Sequence, residues 1–413
     1  VPVGGSDLRG TKRQAATSPR GSARRAELLA AAARLFRERG YGGVSVADIA
    51  ERAGITAGAV YKHFPDKRAL LTEPIREMVL TWRNREVLAL AEGGAADGIL
   101  RRLVTSVVGV VLERPDVVRL WHQEAHYLPA EVREELVAVR VEGIGLWRRV
   151  LMDARPELSA QPAEFRIRAA LGLLNSVPEL PRRRLSAHGH TLEAVLLATL
   201  LAPEPPRELP AIRAVERESS AAAENGGGRR REILDEAAKL FRARGYHGVG
   251  IDEIAAGIGI AGPSIYSHFP SKAALLTALI EGITEELCWG GALALASAGT
   301  PREVLELLVT THVRTAIAKR DLIAVWMTEE HRVPGELGEA VRRDRKRYLD
   351  YWISAVRSLS PEMPEPVART ACLSVMELIH ASARSSRFAD VAALPEWTVG
   401  VALAALTATE LSG

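Results

Sequence analysis

The chain has 413 residues, 47% of them apolar and 25% charged, with a formal net charge of +3. That composition describes a globular protein and excludes collagen-like, fibrous and disordered chains. Two distant cysteines, Cys288 and Cys372, exclude a disulfide scaffold and a cysteine-based zinc module. No apolar run approaches the roughly 18 residues of a membrane span, and the opening VPVGGSDLRGTKRQ has no apolar leader. A cytoplasmic protein with no membrane partner is expected.

Residues 1–23 are rich in Gly, Ser, Pro and basic groups and are expected to form a disordered basic arm. Basic residues outnumber acidic ones up to about position 73, as in a polyanion-binding module or a solvated basic tail. Leu28, Leu29, Ala32, Leu35 and Phe36 then share one face of a predicted helix that Gly40 ends. Ser45 is the expected N-cap of a second helix, stopped at Gly54. Thr56 caps a third, short helix running through Val60, Tyr61 and Phe64 to Pro65, and Asp66 caps a fourth. Pro74 falls inside that fourth helix, where its missing N–H predicts a kink or a break. Beyond it, helical Ala/Leu/Val-rich segments are broken at Gly93-Gly94, Pro115, Pro129 and Pro156. No stretch alternates with period two, so the expected fold class is all-α.

The chain is written twice. Between Arg24 and Glu73 on one side and Arg229 and Ala278 on the other, 27 of 50 ungapped positions are identical at an offset of 205. The offset persists through Trp121 and Trp326, Glu124 and Glu329, His126 and His331, and Trp147 and Trp352. A whole domain pair is therefore repeated. The expected boundaries are a head at 24–72, a helical regulatory domain at 73–202, a Pro- and Gly-rich linker at 203–228, a second head at 229–277 and a second regulatory domain at 278–413.

Two short helices joined by Gly54-Ile55 after a longer one make a helix-turn-helix, whose second member would enter the major groove of double-stranded DNA. Such a helix needs a small tip for close approach, an apolar rear and polar groups outside. Thr56, Ala57 and Gly58 give the tip, Val60 and Phe64 the rear, and Tyr61, Lys62 and His63 the donors. The second copy offers Gly262, Ser264, Tyr266, Ser267 and His268. The chain uses 47 Arg but only 7 Lys, yet both copies hold a lysine at 67 and 272, as a compact cation facing a phosphate would require.

These residues resemble the TetR/AcrR family of bacterial repressors. The resemblance rests on Gly40-Tyr41, Val46-Ala47-Asp48-Ile49-Ala50, Ala53-Gly54-Ile55-Thr56, and Tyr61-x-His63-Phe64-Pro65-x-Lys67-x-x-Leu70. It implies that Tyr61, His63 and Lys67 hold DNA phosphates while Thr56 to Val60 and Lys62 face bases, with Ser45 at the second helix start. In the second copy Tyr266, His268 and Lys272 match residue for residue, but Val44 and Val249 stand where the family has Thr, and Gly250 and Ala261 replace both caps. Arg24 and Arg25, with Arg229 and Arg230, read either as phosphate contacts or as solvated tails. The resemblance further implies a helical domain that dimerises and encloses a small effector. In one chain, the two copies would form an intramolecular pseudo-dimer acting as a monomer, its last helices packed as a four-helix bundle.

For the effector chamber the candidates are Trp121, Glu124 and His126, with Trp326, Glu329 and His331. His122 and His126 have the i, i+4 spacing of metal ligands, but the second copy lacks the first histidine, so no metal and no cofactor are expected. Trp147 and Trp352 read as core, and His188 and His190, beside Arg182-Arg183-Arg184, as solvated surface. No catalytic motif occurs, so no enzyme is expected. The function expected is a DNA-binding regulator, most simply a repressor, released by an apolar or amphipathic effector, with acyl compounds suggested by analogy. The alternative is a ligand-binding or scaffold protein with degenerate helix-turn-helix units.

Overall fold

A computed structural model describes residues 19–205, 208–209, 227–333 and 335–408. The side chains at 122, 123, 183, 184 and 331, and most of the expected arm and linker, lie outside that set. The described residues are helical throughout, with no strand. They fall into two compact units, one up to Pro74 and one from Ile75 onward.

The first unit contains α1 (Pro19–Arg39), α2 (Val46–Arg52), α3 (Ala57–Val60) and the start of α4 (Lys67–Ala91). Leu28, Leu35, Phe36, Ile49, Val60, Phe64 and Leu70 form its core, each at most 2% exposed. Helix α1 starts inside the expected arm, at Pro19, because proline with its fixed φ suits a first helical position. Helix α4 continues through Pro74 without the expected interruption. Leu70, Leu71 and Ile75 around it are fully buried, and that packing outweighs one lost backbone bond and the ring clash.

The second unit continues with α5 (Ala96–Glu113), α6 (Pro115–Glu124), α7 (Ala130–Ala154), α8 (Ala160–Leu173) and α9 (Gly189–Leu200). The second copy repeats the order with α10 (Gly227–Arg244), α11 (Ile251–Gly257), α12 (Gly262–Ile265), α13 (Lys272–Ser297), α14 (Pro301–Ala318), α15 (Arg320–Glu329), α16 (Gly335–Leu359), α17 (Glu365–Arg384) and α18 (Leu394–Leu406). Gly227 and Gly228, placed in the linker by composition, open α10 instead.

Helices α8, α9, α17 and α18 pack as a four-helix bundle that joins the two copies. Phe165 meets Phe388 edge-on at 5.5 Å and Trp397 at 5.4 Å. Ser176 and Ser374 share a hydrogen bond of 3.0 Å. Gly172 has no substitute here, since a Cβ would lie 2.5 Å from that of Ala381. His188 was expected on the surface. It is buried, and its Nδ1 lies 2.8 Å from the Thr370 hydroxyl of the other copy, because the 3-10 turn Arg182–His188 folds back on α9.

Candidate DNA-reading heads and effector chambers

In the first head the turn between α2 and α3 passes through Gly54 at φ +67°, a left-handed conformation that favours glycine. Ser45 caps α2, its Oγ accepting the Asp48 N–H at 3.1 Å while Asp48 accepts the Ser45 N–H at 2.7 Å. Thr56 caps α3 by accepting the Ala59 N–H at 3.3 Å, and Asp66 caps α4 by accepting that of Ala69 at 2.8 Å. Val60 and Phe64 are buried, which turns Tyr61, 55% exposed, and Lys62 outward, with His63 half-buried beside them. Ala57 is half-buried and Gly58 exposed at the tip. The Lys67 ammonium stands 4.1 Å from the centre of the Tyr41 ring.

The second head repeats this geometry with poorer caps. Tyr266 is also 55% exposed, Ile265 and Phe269 are buried behind it, and Lys272 stands 4.3 Å from the Tyr246 ring. Ala261 supplies no cap and Pro263 enters the first turn of α12. Gly250 has no capping side chain either, but the Glu253 carboxylate still accepts its N–H at 2.7 Å, so half of the box survives. At the tip, the Ser267 hydroxyl donates to the Ser264 carbonyl at 2.7 Å, with Gly262 half-buried at the start of the turn. Ser267 therefore presents its oxygen where the first head presents a cation.

Arg25 has a role that neither sequence reading anticipated. It lies 4.3 Å over the Phe64 ring, donates to the His63 carbonyl at 2.6 Å and pairs with Glu73, bracing α1 against the reading turn. Arg230 repeats the ring contact at 4.4 Å over Phe269, but Ala278 stands in the place of Glu73. Arg24 and Arg229 make surface pairs with Glu27 and Glu232 at 2.7 and 2.5 Å.

Within the second unit the second head is clasped to α15. The Glu329 carboxylate accepts the Tyr246 N–H at 3.3 Å and is held by Arg332 at 2.5 Å. Arg332 in turn lies 2.8 Å from His247 Nε2. Arg242 pairs with Asp321 and donates to the Arg384 carbonyl at 3.3 Å.

Each regulatory half carries a polar interior. In the first, Glu86 is buried, and its carboxylate accepts the indole N–H of Trp147 at 2.6 Å and of Trp82 at 2.8 Å. Burial pushes the Glu86 carboxyl above its ordinary range, against the pull of those two bonds. Arg140 lies 5.9 Å from the Trp82 ring and 5.6 Å from that of Trp121. The space between these groups, lined also by Met78, Val118 and Leu174, is only about 40 Å³.

In the second half Gly291 replaces Glu86 and Tyr348 replaces Gly143. A Cβ on Gly291 would lie 2.9 Å from the Tyr348 ring, so the tyrosine fills the place of the carboxylate. His312 Nδ1 is 2.9 Å from the Tyr348 hydroxyl and its Nε2 is 2.9 Å from Nε2 of His380. Burial holds His312 well below the ordinary 6.5, and the neighbouring His380 adds to this; burial lowers His380 too, although Glu377 opposes it. Beside this cluster opens a cavity of about 660 Å³.

The sequence profile described as bacterial regulatory proteins of the tetR family matches residues 28–73 and 233–279, and that of the tetracyclin repressor-like C-terminal domain matches 298–384. The HTH-type transcriptional repressor KstR2 of Rhodococcus jostii is 35% identical over 133 residues, 32% of this chain and 64% of that protein. An uncharacterized HTH-type transcriptional regulator of Mycobacterium tuberculosis, MT1294, is 30% identical over 140 residues, 34% of this chain and 67% of its own length. The chain belongs to the TetR family. Its matches span between about a third and two thirds of the first relatives' lengths. A TetR-family regulator from Bordetella parapertussis superposes on 44% of this chain and 95% of its own, at 22% identity and a TM-score of 0.40. Both named relatives are described as HTH-type transcriptional regulators or repressors.

For a TetR-family chain, the chamber candidates sort unevenly. Trp121 and Trp326 line the two interiors. Glu124 is buried at the end of α6, and Glu329 serves the clasp. Helix α6 ends at Glu124, so His126 lies on a separate 3-10 turn, Ala125–Tyr127, and is exposed; it does not share a helical face with position 122. The His331 side chain is outside the described set. Among the described residues no helix is long and apolar enough to cross a membrane, and no cluster of His, Cys, Asp and Glu is arranged for a metal. Sequence reasoning used Tyr41 as a motif residue without foreseeing that it and Tyr246 stack under Lys67 and Lys272, and it missed Glu86, Arg140, His312, Tyr348 and His380, which carry no local motif.

Proposed function

We propose that this chain is a sequence-specific DNA-binding transcription regulator, acting as a repressor released by a small amphipathic effector. The supporting observation is the repetition of one exposed surface on two heads. Tyr61, His63 and Lys67 match Tyr266, His268 and Lys272 in identity and exposure, while the buried residues behind them match as core. The matched groups suit phosphates, which are the same on any duplex, and the unmatched ones, Lys62 against Ser267, suit bases. One chain then occupies one operator of two unlike half-sites, with the linker making the second contact intramolecular. The expected domain boundaries belong to this reading, with α1 and α10 beginning a few residues earlier.

The test is selection from random DNA, then a shift assay titrated with salt and sedimentation to count chains per site. A steep salt dependence and two unlike half-sites under one chain are expected. Lys67→Ala should reduce the salt slope by about one and weaken every sequence alike. Salt-independent binding with no sequence preference would instead indicate a scaffold with degenerate heads.

A further inference from the structure

We infer that the effector site is single: one amphipathic organic acid per chain, held in the cavity that the second copy shares with the 3-10 segment Leu174–Glu179 of the first. This rests on the regulator reading only for its biological consequence. A repeated fold leads one to expect two equivalent chambers, but the interiors differ in capacity by more than tenfold, about 40 against 660 Å³. Ligand pockets run to roughly 300–1,000 Å³, so only the second has room.

The larger cavity is built by both copies. Asn175, Ser176, Pro178 and Glu179 of the first close it against α15, α16 and α17 of the second. The Ser176–Ser374 bond and the ion pair of Glu179 with Arg345, at 3.6 Å, hold that wall in place. Two residues lining it carry buried polar atoms without a hydrogen-bond partner, Trp326 Nε1 and Glu377 Oε2, while His380 Nδ1 faces the other oxygen of Glu377 at 3.7 Å. Trp326 and Glu377 are both at least nine-tenths buried. A buried polar group left unpaired is costly, so their convergence on one cavity points to a missing occupant.

The chemistry of the walls describes that occupant. Of the six Arg and Lys on them, Arg119 and Arg345 pair with Glu179 and Glu330, and Arg369 pairs with Asp350 and Glu365. That leaves Arg342, Lys346 and Arg384 against Glu377, a balance that still favours an anion. Trp326 needs an acceptor and Glu377 a donor, so the acid also carries an amide or hydroxyl. Trp326, Leu349, Leu373 and Met376 supply the apolar side. Trp326, Thr328 and Glu330 border the cavity, while Asp321 and Glu329, from the same short stretch, hold the second head. Arg384 lines the cavity and receives Arg242 of that head on its carbonyl. Occupancy is thereby read first by the second head.

N-decanoylglycine, which has a carboxylate, an amide and an apolar chain, is a suitable probe, with its neutral methyl ester as the control. Calorimetry on the full chain should give one site, with the ester at least tenfold weaker. Trp326→Phe, which removes only the N–H, should weaken binding about tenfold, whereas Trp121→Phe should leave it unchanged. Thermal melts of both variants check that they fold. Two equivalent sites, equal loss from both Trp variants, or no binding at millimolar probe would overturn the inference. A shift assay on the same samples separates the two claims. DNA binding without acid binding leaves the regulator reading intact, and acid binding without DNA binding leaves the cavity intact.

Discussion

The two regulatory interiors start from the same pair, Arg140 beside Trp121 and Arg345 beside Trp326, each with the guanidinium 5.6 Å from the ring. They then solve the problem of a polar interior in opposite ways. The first buries a carboxylate and satisfies it with two indoles. The second removes the carboxylate, fills its space with Tyr348 and links the phenol through His312 to His380, leaving Trp326 Nε1 and Glu377 Oε2 in the cavity walls without a partner. Glu86 with Gly143 and Gly291 with Tyr348 form a reciprocal exchange of large and small across the same helix contact. Close-packed interiors tolerate a change of volume only when the facing position changes with it.

Breaking the first interior should have the largest effect. Glu86→Ala strands the buried indole N–H of Trp147, at about 1–3 kcal/mol, and frees that of half-buried Trp82, which water can still reach, so a loss of roughly 1–4 kcal/mol is expected in urea unfolding. Gly291→Glu alone should cost about 1–3 kcal/mol by overpacking against Tyr348. Gly291→Glu with Tyr348→Gly should recover part of it, and an additive double-mutant cycle would refute the exchange.

The interiors should also differ in pH response. His312 and His380 are held neutral, below 6.5, so they bind protons more readily unfolded than folded. Their contribution is present above about pH 6.5 and is lost as pH falls, by up to about 1.4 kcal/mol per pH unit for each histidine. Glu86 is raised, so its contribution is present at acid pH and declines as pH rises through its folded value. Unfolding of His312→Gln and Glu86→Gln between pH 4.5 and 8 should flatten the first and second of these slopes respectively.

A smaller contrast is expected on DNA. Lys62→Ala should lower affinity about tenfold and relax preference at one half-site, whereas Ser267→Ala should have a smaller effect, because the Ser267 hydroxyl donates to the Ser264 carbonyl and keeps only acceptor capacity for a base. Half-site swaps in a shift assay measure both. Smallest are the caps: Thr56→Ala should cost about 1 kcal/mol, while Ala261→Thr should stabilise the second head by a similar or lesser amount. Equal responses in the two heads would show that capping does not separate them.

Local chemistry is what the sequence determined by itself. Ser45, Thr56 and Asp66 cap their helices because each needs only an N–H two or three residues ahead, and the rear positions Val60 and Phe64 follow from helical spacing. The duplication, the all-α class and the exposed Tyr-x-His face were legible for the same reason. Composition misplaced the starts of α1 and α10, and of the kink or break expected at Pro74 the break does not occur, since buried neighbours let the helix run on. Tertiary structure alone decided that Gly172 must admit Ala381, that His188 pairs with Thr370 across 182 residues, that Glu86 faces Trp147 and that Glu329 clasps the second head. No periodicity encodes which helix face meets which, and a side chain's partner at such separations exists only once the chain has packed.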